Sequence, residues 1–175
     1  DAVTAAHEGD TVVLVKDVTL AEDKSLTIST DKNFTLDLNG FTISQEKNNS
    51  NTNHSMLTNN GTLTITDSST GTKGEIKYTD TNETYSKTRE NVVSNTITNN
   101  GKLTITGGCT ITNASGRPAA SSRHPYAIDN HSSDSSSATL IVENAMVNTV
   151  RCPAIRLCCN SVTNNNTVTI RNSTV

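Results

Sequence analysis

The stretch NFTLDLNGFTIS, residues 33–44, decides the fold class of this chain. From Phe34 to Leu38, apolar residues stand at every second position with polar residues between them, which is typical of a β-strand with one buried face. An Asn-Gly pair at 39–40 then predicts a sharp bend, because both residues tolerate a positive φ. The alternation resumes at Phe41, without the spacing of a hairpin. Two short strands joined by a corner predict a chain that keeps turning in one direction.

The same pattern recurs along the chain. TNNGTLTIT at 58–66 returns as TNNGKLTIT at 98–106 with a single substitution, and weaker copies lie at 136–144 and 164–172. The first inward apolar residue of each copy gives a predicted column of Val13, Leu36, Leu63, Leu103, Leu140 and Val168. Steps of roughly 23 to 40 residues between its members indicate a solenoid.

Each interval holds two further apolar segments, so each repeat carries three short strands. The second predicted column consists of Val18/Leu20, Phe41/Ile43, Ile76, Cys109/Ile111, Val147 and Val175. The third consists of Leu26/Ile28, Leu57, Ile97, Ile128 and Ile155. We therefore predict an all-β fold, a parallel β-helix of about five to six coils with three short strands each. The connection rule for parallel strands favours the right-handed form.

We expect a single domain over residues 1–175, with an N-terminal cap over 1–10 and the coils over 11–175. The opening sequence DAVTAAH predicts a short helix that covers the first coil against edge pairing. The chain opens without a signal peptide and stops at Val175 inside a predicted strand. We therefore expect it to be a fragment of a longer chain.

A family resemblance supports the fold prediction. The phrase TVVLVKDVTL, followed by LTI and then TLDLNGFTIS, resembles the opening coils of bacterial right-handed β-helix proteins of the pectin-lyase-like superfamily. It is most similar to the repeat-rich surface proteins of gut and rumen bacteria, and the resemblance covers nearly the whole chain. It implies an extracellular or cell-surface location in a bacterium. Because this fold carries polysaccharide lyases, glycosidases and adhesins, the resemblance does not choose among them.

Composition and charge exclude two classes of partner. The net charge is −3 and the basic residues are not clustered, whereas nucleic-acid binding requires a concentrated positive face. No apolar run reaches the roughly 20 residues that span a bilayer, so we expect no membrane insertion. The low aromatic content of 3% suits the narrow core of a solenoid filled by small side chains.

Four insertions are the best candidates for a functional surface. They lie at 45–55, 79–95, 112–126 and 148–153, all between the second and third columns, and stacked coils would align them as one loop wall along the solenoid. Tyrosines and cations on this wall suit an uncharged or acidic glycan, or a protein. The predicted ligand-binding residues are Tyr78, Tyr85, Arg89, Arg117, Arg123, His124 and Tyr126. The alternative is that these loops are merely solvated.

Catalytic residues are harder to assign. A glycosidase needs two carboxylates about 5 to 9.5 Å apart, and neighbouring coils are about 4.8 Å apart. The outward column beside the first inward column is predicted to hold a single acid, in the series Asp37, Thr64, Thr104, Ile141 and Thr169. Asp129 should stack between Thr98 and Arg156, as an exposed cross-coil ion pair. No lyase or glycosidase motif is present, so we assign no catalytic, cofactor-binding or metal-binding residue.

The cysteines and asparagines have structural interpretations. Cys109 takes an inward position and should act as a small hydrophobe. Cys152 could form a disulfide with Cys158 or Cys159 in an extracellular protein, and the spacing does not settle which. Asn59, Asn99 and Asn130 follow their strands by the same offset and predict a ladder of side-chain amides from coil to coil.

These observations favour a non-catalytic extracellular β-helix module. Its expected role is adhesion, binding a glycan or a protein of a host or neighbouring cell, or display of another domain as a stalk. The alternative is a fragment of a carbohydrate-active enzyme, either a polysaccharide lyase or a glycoside hydrolase. Outward threonine rows around Thr64 and Thr104 suggest an ice-binding solenoid as a further alternative. This alternative is remote because charged residues interrupt the rows.

Overall fold

The computed structural model describes residues 2–47, 53–81, 93–115, 125–132, 137–150, 153–159 and 166–175. One helix, α1 (Ala2–Ala5), precedes sixteen described strands. The strands are β1 (Thr11–Val13), β2 (Val18–Leu20), β3 (Leu26–Ile28), β4 (Asn33–Asp37), β5 (Thr42–Lys47), β6 (His54–Asn59), β7 (Thr62–Thr66), β8 (Glu75–Asp80), β9 (Ser94–Asn99), β10 (Lys102–Ile105), β11 (Thr110–Asn113), β12 (Ile128–Ser132), β13 (Thr139–Glu143), β14 (Met146–Thr149), β15 (Ile155–Cys159) and β16 (Thr167–Arg171).

Successive strands belong to three different sheets. The first sheet has the order β1-β4-β7-β10-β13-β16, the second β2-β5-β8-β11-β14 and the third β3-β6-β9-β12-β15. Neighbouring strands in each sheet are parallel, as in the pairs β10–β13, β11–β14 and β12–β15. Each turn of the chain therefore adds one strand to every sheet, which confirms the predicted parallel β-helix. Coils one to five end at β3, β6, β9, β12 and β15, and β16 begins a sixth.

The core is a column of apolar side chains enclosed by the three sheets. The third predicted column is confirmed, since Leu57 pairs with Ile97. The second is confirmed from Ile43 through Ile76 to Ile111, but Val18 pairs with Ile43 and not with Phe41, a shift of two positions. In the first sheet, Leu63 pairs with Leu103, and both are fully buried. Parallel in-register stacking lets equivalent side chains of adjacent coils pack on one another, so small aliphatic residues fill the interior.

The predicted register of the first two coils is wrong. Leu36 pairs with Ile65, and Phe34 is the residue opposite Leu63, a shift of two positions. Val13 pairs with Asp37 and is 46% exposed, a shift of one position to the outer face. Two physical causes explain this. Both apolar residues of β4 point inward, so a period-two pattern permits either alignment. Four consecutive apolar residues in 12–15 hide which face of β1 is buried.

The N-terminal cap lies within the predicted region. In α1, Val3 packs against the core, and the following Ala6 is buried in it. The ammonium group of Lys32 donates hydrogen bonds to the carbonyls of Thr4 at 3.0 Å and Ala6 at 2.8 Å, which ties the cap to the second coil. Within the described part of the chain, no helix has the length and apolar character needed to cross a membrane.

The amide ladder is confirmed. The Nδ2 of Asn59 donates to the Oδ1 of Asn99 at 2.8 Å, and the Nδ2 of Asn99 donates to the Oδ1 of Asn130 at 2.7 Å. All three side chains are fully buried. Asn59 and Asn99 are the last residues of β6 and β9, and Asn130 is the register partner of Asn99 within β12, so the ladder lies near the corner that leads to the first sheet. Buried amides are stable there because each one satisfies the next.

Candidate binding groove

Five connections between described strands join the second sheet to the third sheet at the same corner of the solenoid, and four of these are the loops of the loop wall. These loops are the β5–β6, β8–β9, β11–β12 and β14–β15 connections, which correspond to the four predicted insertions. The shared corner of the loop wall is therefore confirmed by the strand order. The structure describes the ends of these loops but not residues 48–52, 82–92, 116–124 and 151–152.

Asparagines clamp the ends of the loops to neighbouring coils. The Oδ1 of Asn53 accepts a hydrogen bond from the backbone N–H of Val93 at 2.9 Å. The Oδ1 of Asn95 accepts one from the backbone N–H of Tyr126 at 3.1 Å. The Nδ2 of Asn113 donates to the carbonyl of Tyr126 at 3.0 Å. The loops thus leave a scaffold whose attachment points are fixed, as expected for loops that carry function.

An open groove of about 530 Å³ lies on the outer face of the third sheet, at the foot of the loop wall. Its lining comes from four successive coils, so the groove follows the solenoid axis. Most lining side chains are amides, hydroxyls or imidazoles. The described lining residues are Asn53, His54, Ser55, Val93, Asn95, Thr98, Asp129, His131, Arg156 and Cys158.

A charged pair forms the floor of this groove. Asp129 on β12 and Arg156 on β15 are register partners, and the Nε of Arg156 donates to the Oδ1 of Asp129 at 2.8 Å. The Nη2 of Arg156 donates to the Oδ2 of the same carboxylate, so the pair is bidentate. Asn95 adds a hydrogen bond from its Nδ2 to that Oδ2 at 3.3 Å. The predicted ion pair is confirmed, but Asp129 is buried rather than exposed, with 5% of its side chain accessible.

Tyr126 supports the pair from the loop side. The guanidinium carbon of Arg156 lies 4.9 Å from the centre of the Tyr126 ring, within the range of a cation–π contact. The hydrogen bonds to Asp129 raise the pKa of Arg156. A permanently charged, planar guanidinium is therefore held in one orientation by an acid and an aromatic ring.

His54 lines the groove in a defined neutral form. The Nε2 of Gln45 donates to the carbonyls of Ala21 and Lys24, both at 2.7 Å, which orients the amide. The Oε1 of Gln45 therefore faces the Nε2 of His54 at 2.6 Å and accepts a hydrogen bond from the Nε2–H. Burial, together with the nearby positive charge of Lys47, lowers the pKa of His54 to about 4. The imidazole is thus uncharged at neutral pH.

Two further groove residues lie towards the other side of the third sheet. His131 on β12 and Cys158 on β15 are register partners, two residues beyond Asp129 and Arg156 in their strands. His131 also lines a second groove, of about 840 Å³, at the corner between the third and first sheets. That second groove crosses the tight turns at Asn60 and Asn100, away from the loop wall. We therefore take the first groove as the candidate site.

The structure brings few of the predicted ligand-binding residues together. Tyr78 has 0% exposure and belongs to the core, so it must be removed from the binding set. The reason is that Tyr78 alternates inward with Ile76 in β8, a position that precedes the loop. Tyr126 is 8% exposed and acts behind Arg156. The remaining predicted residues lie outside the described residues: Tyr85, Arg89, Arg117, Arg123 and His124.

Sequence reasoning missed the strand residues of the groove. Asn95 and Thr98 read as ordinary polar positions of a strand, and His54 as an isolated histidine. The sequence signal for the groove was the predicted stack of Asp129 on Arg156, which places an acid and a base together on the outer face of the third sheet. The sequence already placed Thr98 beside Asp129 in this stack, as the pairing of β9 with β12 confirms, but did not assign the stack to a binding site.

Asp37 and Asp67 approach each other at the corner between the first and second sheets, but their hydrogen bonds show a turn. The Oδ1 of Asp37 accepts from the backbone N–H groups of Asn39 and Ser68, both at 2.9 Å. Burial on its own would raise the pKa of each acid. The hydrogen bonds from Ser68 to Asp37 and from Ser69 to Asp67 outweigh this effect, so the pKa of both acids is lowered. These ionised, backbone-bonded carboxylates fix the turn and are unsuited to donate a proton.

The described cysteines have different environments. Cys109 is fully buried, and this burial raises the pKa of its thiol to about 12, as expected for a core residue. Cys158 is a free, partly buried thiol in the structure. Cys152 and the side chain of Cys159 lie outside the description.

Comparison of the chain with protein-family models, with curated proteins and with solved structures gave no match. In the described part of the chain, no group of three or more His, Cys, Asp or Glu side chains is arranged to hold a metal ion. The fold and the groove define the class of the protein as a parallel β-helix module with a polar groove beside a loop wall.

Proposed function

We propose that this chain is a non-catalytic binding module that holds a carbohydrate chain in the groove at the foot of the loop wall. The observation that carries this proposal is the lining of the groove, in which amides, hydroxyls and imidazoles from four coils surround one ion pair. The resemblance to bacterial β-helix proteins of the pectin-lyase-like superfamily adds an extracellular, surface-displayed setting. In that setting, carbohydrate binding serves adhesion.

The chemistry of the lining favours a glycan over a peptide. Peptide-binding sites supply apolar pockets or an open strand edge. Of the third-sheet strands that line this groove, β6, β9 and β12 are paired on both sides, and among the described strands only β15 has an outer edge. Val93 is the single aliphatic side chain among the described lining residues. Side chains that both donate and accept hydrogen bonds match the hydroxyl groups of a sugar.

The same lining disfavours the enzyme alternative. Asp129 is the single carboxylate among the described lining residues, and both of its oxygens accept hydrogen bonds from Arg156. Glycoside hydrolysis by the usual mechanism needs two carboxylates, one of them protonated as a general acid. The bidentate guanidinium occupies both oxygens of Asp129, so this carboxylate is not free to contact a scissile bond. Binding is therefore the function that the described residues support best.

The proposal is tested by carbohydrate binding of matched variants on a glycan array and by calorimetry. The groove variant Thr98→Val/His131→Ala removes polar groups from the groove. The control Thr64→Val/Thr104→Val changes two outward positions on the first sheet, which faces away from the groove. We expect the parent and the control to bind equally and the groove variant to lose at least tenfold in affinity. Equal binding by all three proteins rejects the groove as the site.

The loop wall is tested in parallel. Replacing Tyr85, Arg89 and Arg123 by Ala examines the loop residues that the sequence predicts, and these side chains are aromatic or cationic like those enriched at binding hot spots. Loss of affinity in this variant assigns part of the binding energy to the loops. Failure of the parent protein to bind any glycan or host-cell surface favours the stalk function instead.

A second candidate function, ice binding, gains support from the corrected register. The central outward column of the first sheet reads Thr11, Thr35, Thr64, Thr104, Ile141 and Thr169. Threonines about 4.8 Å apart on a parallel sheet form a regular row of methyl and hydroxyl groups. Thermal hysteresis in the parent protein that disappears in Thr64→Glu would support this function, and its absence in the parent rejects it.

A further inference from the structure

We infer that the groove selects uncharged glycans, and that the Asp129–Arg156 pair sets this selectivity by cancelling its own charge. This inference rests on the proposed carbohydrate-binding function and specifies its ligand class. Sequence reasoning left acidic and uncharged glycans equally open, because cations on the loops suit an acid. The geometry of the floor separates the two.

The pair leaves neither of its charges for a ligand. Both carboxylate oxygens of Asp129 accept from Arg156, and the Nδ2 of Asn95 fills a further acceptor position on the Oδ2. Arg156 presents its guanidinium edge to Asp129 and lies over the ring of Tyr126. With 30% of the Arg156 side chain accessible, its remaining N–H groups can still donate a hydrogen bond to a sugar hydroxyl.

The imidazole of His54 does not disturb this balance. His54 is neutral at physiological pH, as its lowered pKa shows. Lys47, whose charge acts on His54, is the register partner of the acidic Asp80 on β8. His131 and Cys158 complete the described titratable lining. The described floor therefore carries one fixed positive and one fixed negative charge, in direct contact.

A charged ligand would have to break this arrangement. A uronate carboxylate that approaches Arg156 also approaches Asp129, which repels it, and it must give up its own hydration. An amino sugar meets the opposite problem, because Asp129 is already saturated and Arg156 repels a cation. A neutral sugar hydroxyl can contact either partner without separating them. Selectivity thus arises from a repulsive element as well as from the attractive contacts.

Breaking the pair should change the selectivity in opposite directions. Asp129→Asn is nearly isosteric and frees the guanidinium, so we expect affinity for polygalacturonate to rise about tenfold or more, as for a charge-assisted hydrogen bond. Arg156→Gln frees the carboxylate, so we expect it to favour chitosan and to bind polygalacturonate no better than the parent. The double variant Asp129→Asn/Arg156→Gln is neutral again, and its binding should return to the uncharged polysaccharides.

The experiment measures all four proteins by calorimetry at about 0.15 M salt, where long-range charge effects are screened. The probes are xylan, mannan and dextran as neutral polysaccharides, polygalacturonate as the anion and chitosan as the cation. Lys102→Gln, a change of one charge outside this groove, is the matched control and should leave every affinity unchanged. Melting curves identify variants that fail to fold, and the neutral double variant keeps the test informative if Arg156→Gln unfolds.

The outcomes separate this inference from the function on which it rests. Parent binding to a neutral probe, with a gain of polygalacturonate binding in Asp129→Asn, supports it. Parent binding to polygalacturonate or chitosan in preference to every neutral probe overturns it and leaves carbohydrate binding intact. An Asp129→Asn variant with the parent's selectivity also overturns it. Parent binding to none of the probes or array glycans overturns both.

Discussion

Replacing Asn99 by Ala should destabilise the solenoid far more than replacing its neighbour Asn100 by Ala. The Nδ2 of Asn99 donates to Asn130 at 2.7 Å, and its Oδ1 accepts from Asn59 at 2.8 Å, all within the fully buried ladder. The truncation removes two amide–amide bonds, worth about 1 kcal/mol each, and deprives the buried Oδ1 of Asn130 and the N–H of Gly101 of a partner. We expect a total loss of about 3–5 kcal/mol in the free energy of unfolding.

Asn100 makes the matched control because it forms the same kind of bond in a wetter place. Its Nδ2 donates to the Oδ1 of Asn60 at 2.8 Å, but the side chain is half-buried and water can replace the partner. We expect Asn100→Ala to cost about 0.5–1 kcal/mol. Urea unfolding followed by circular dichroism and by tyrosine fluorescence measures both variants, and coincident transitions justify a single free energy. Equal losses in the two variants would refute the argument that burial of the amides decides their contribution.

Three further predictions follow from particular positions. Leu103→Ala should lose about 2–5 kcal/mol in the free energy of unfolding, because the truncation leaves a cavity in the core. Val13→Ala on the outer face should change the free energy of unfolding by less than about 0.5 kcal/mol. Equal losses in the two variants would contradict the corrected register. Gly101→Ala should lower the melting temperature sharply, since its Cβ would lie 2.8 Å from backbone atoms of the preceding coil, and Gly71→Ala, with open space around it, is the control. Lowering the pH from about 6.5 to 4 should destabilise the parent by about 1–2 kcal/mol after allowance for the partial exposure of His54, because the imidazole binds a proton in the unfolded chain but not in the folded one. Urea titrations of His54→Gln should show a weaker dependence of stability on pH. An unchanged pH profile in that variant would count against the neutral buried imidazole.

The sequence predicts the architecture well because the solenoid repeats one local rule. The two nearly identical copies at 58–66 and 98–106 align without ambiguity, and β7 and β10 pair in the predicted register. The ladder of Asn59, Asn99 and Asn130 follows from the same repeat, since parallel stacking brings equal positions together. Where the repeat is degenerate, as in the apolar run of β1, the period-two pattern loses its phase and the prediction fails.

The candidate site is less predictable because it depends on contacts between coils that share no motif. Composition draws attention to Tyr78, but the alternation of β8 turns that residue into the core. Asn95 belongs to the site because its Oδ1 accepts a hydrogen bond from the backbone N–H of Tyr126 and its Nδ2 donates one to Asp129. Both partners are about thirty positions away in the sequence. Such long-range pairs become visible only once the insertion lengths between the coils are known.

The charges of the loops and of the floor separate the capture of a ligand from its selection. Over the four insertions of the loop wall, the sequence has six Lys or Arg residues against four Asp or Glu residues, while Asp129 and Arg156 neutralise each other on the floor. A positive wall beside a neutral floor attracts acidic ligands over long distances but gives them no charge to bind at the end. Attraction of this kind is screened by salt, whereas hydrogen bonds to a neutral sugar are not. Affinity for neutral polysaccharides should therefore stay constant between about 0.05 and 0.5 M salt, and any weak binding of polygalacturonate should vanish over that range. Salt-resistant binding of the acid would mean that Arg156 gives up Asp129 for the ligand, contrary to the geometry of the pair.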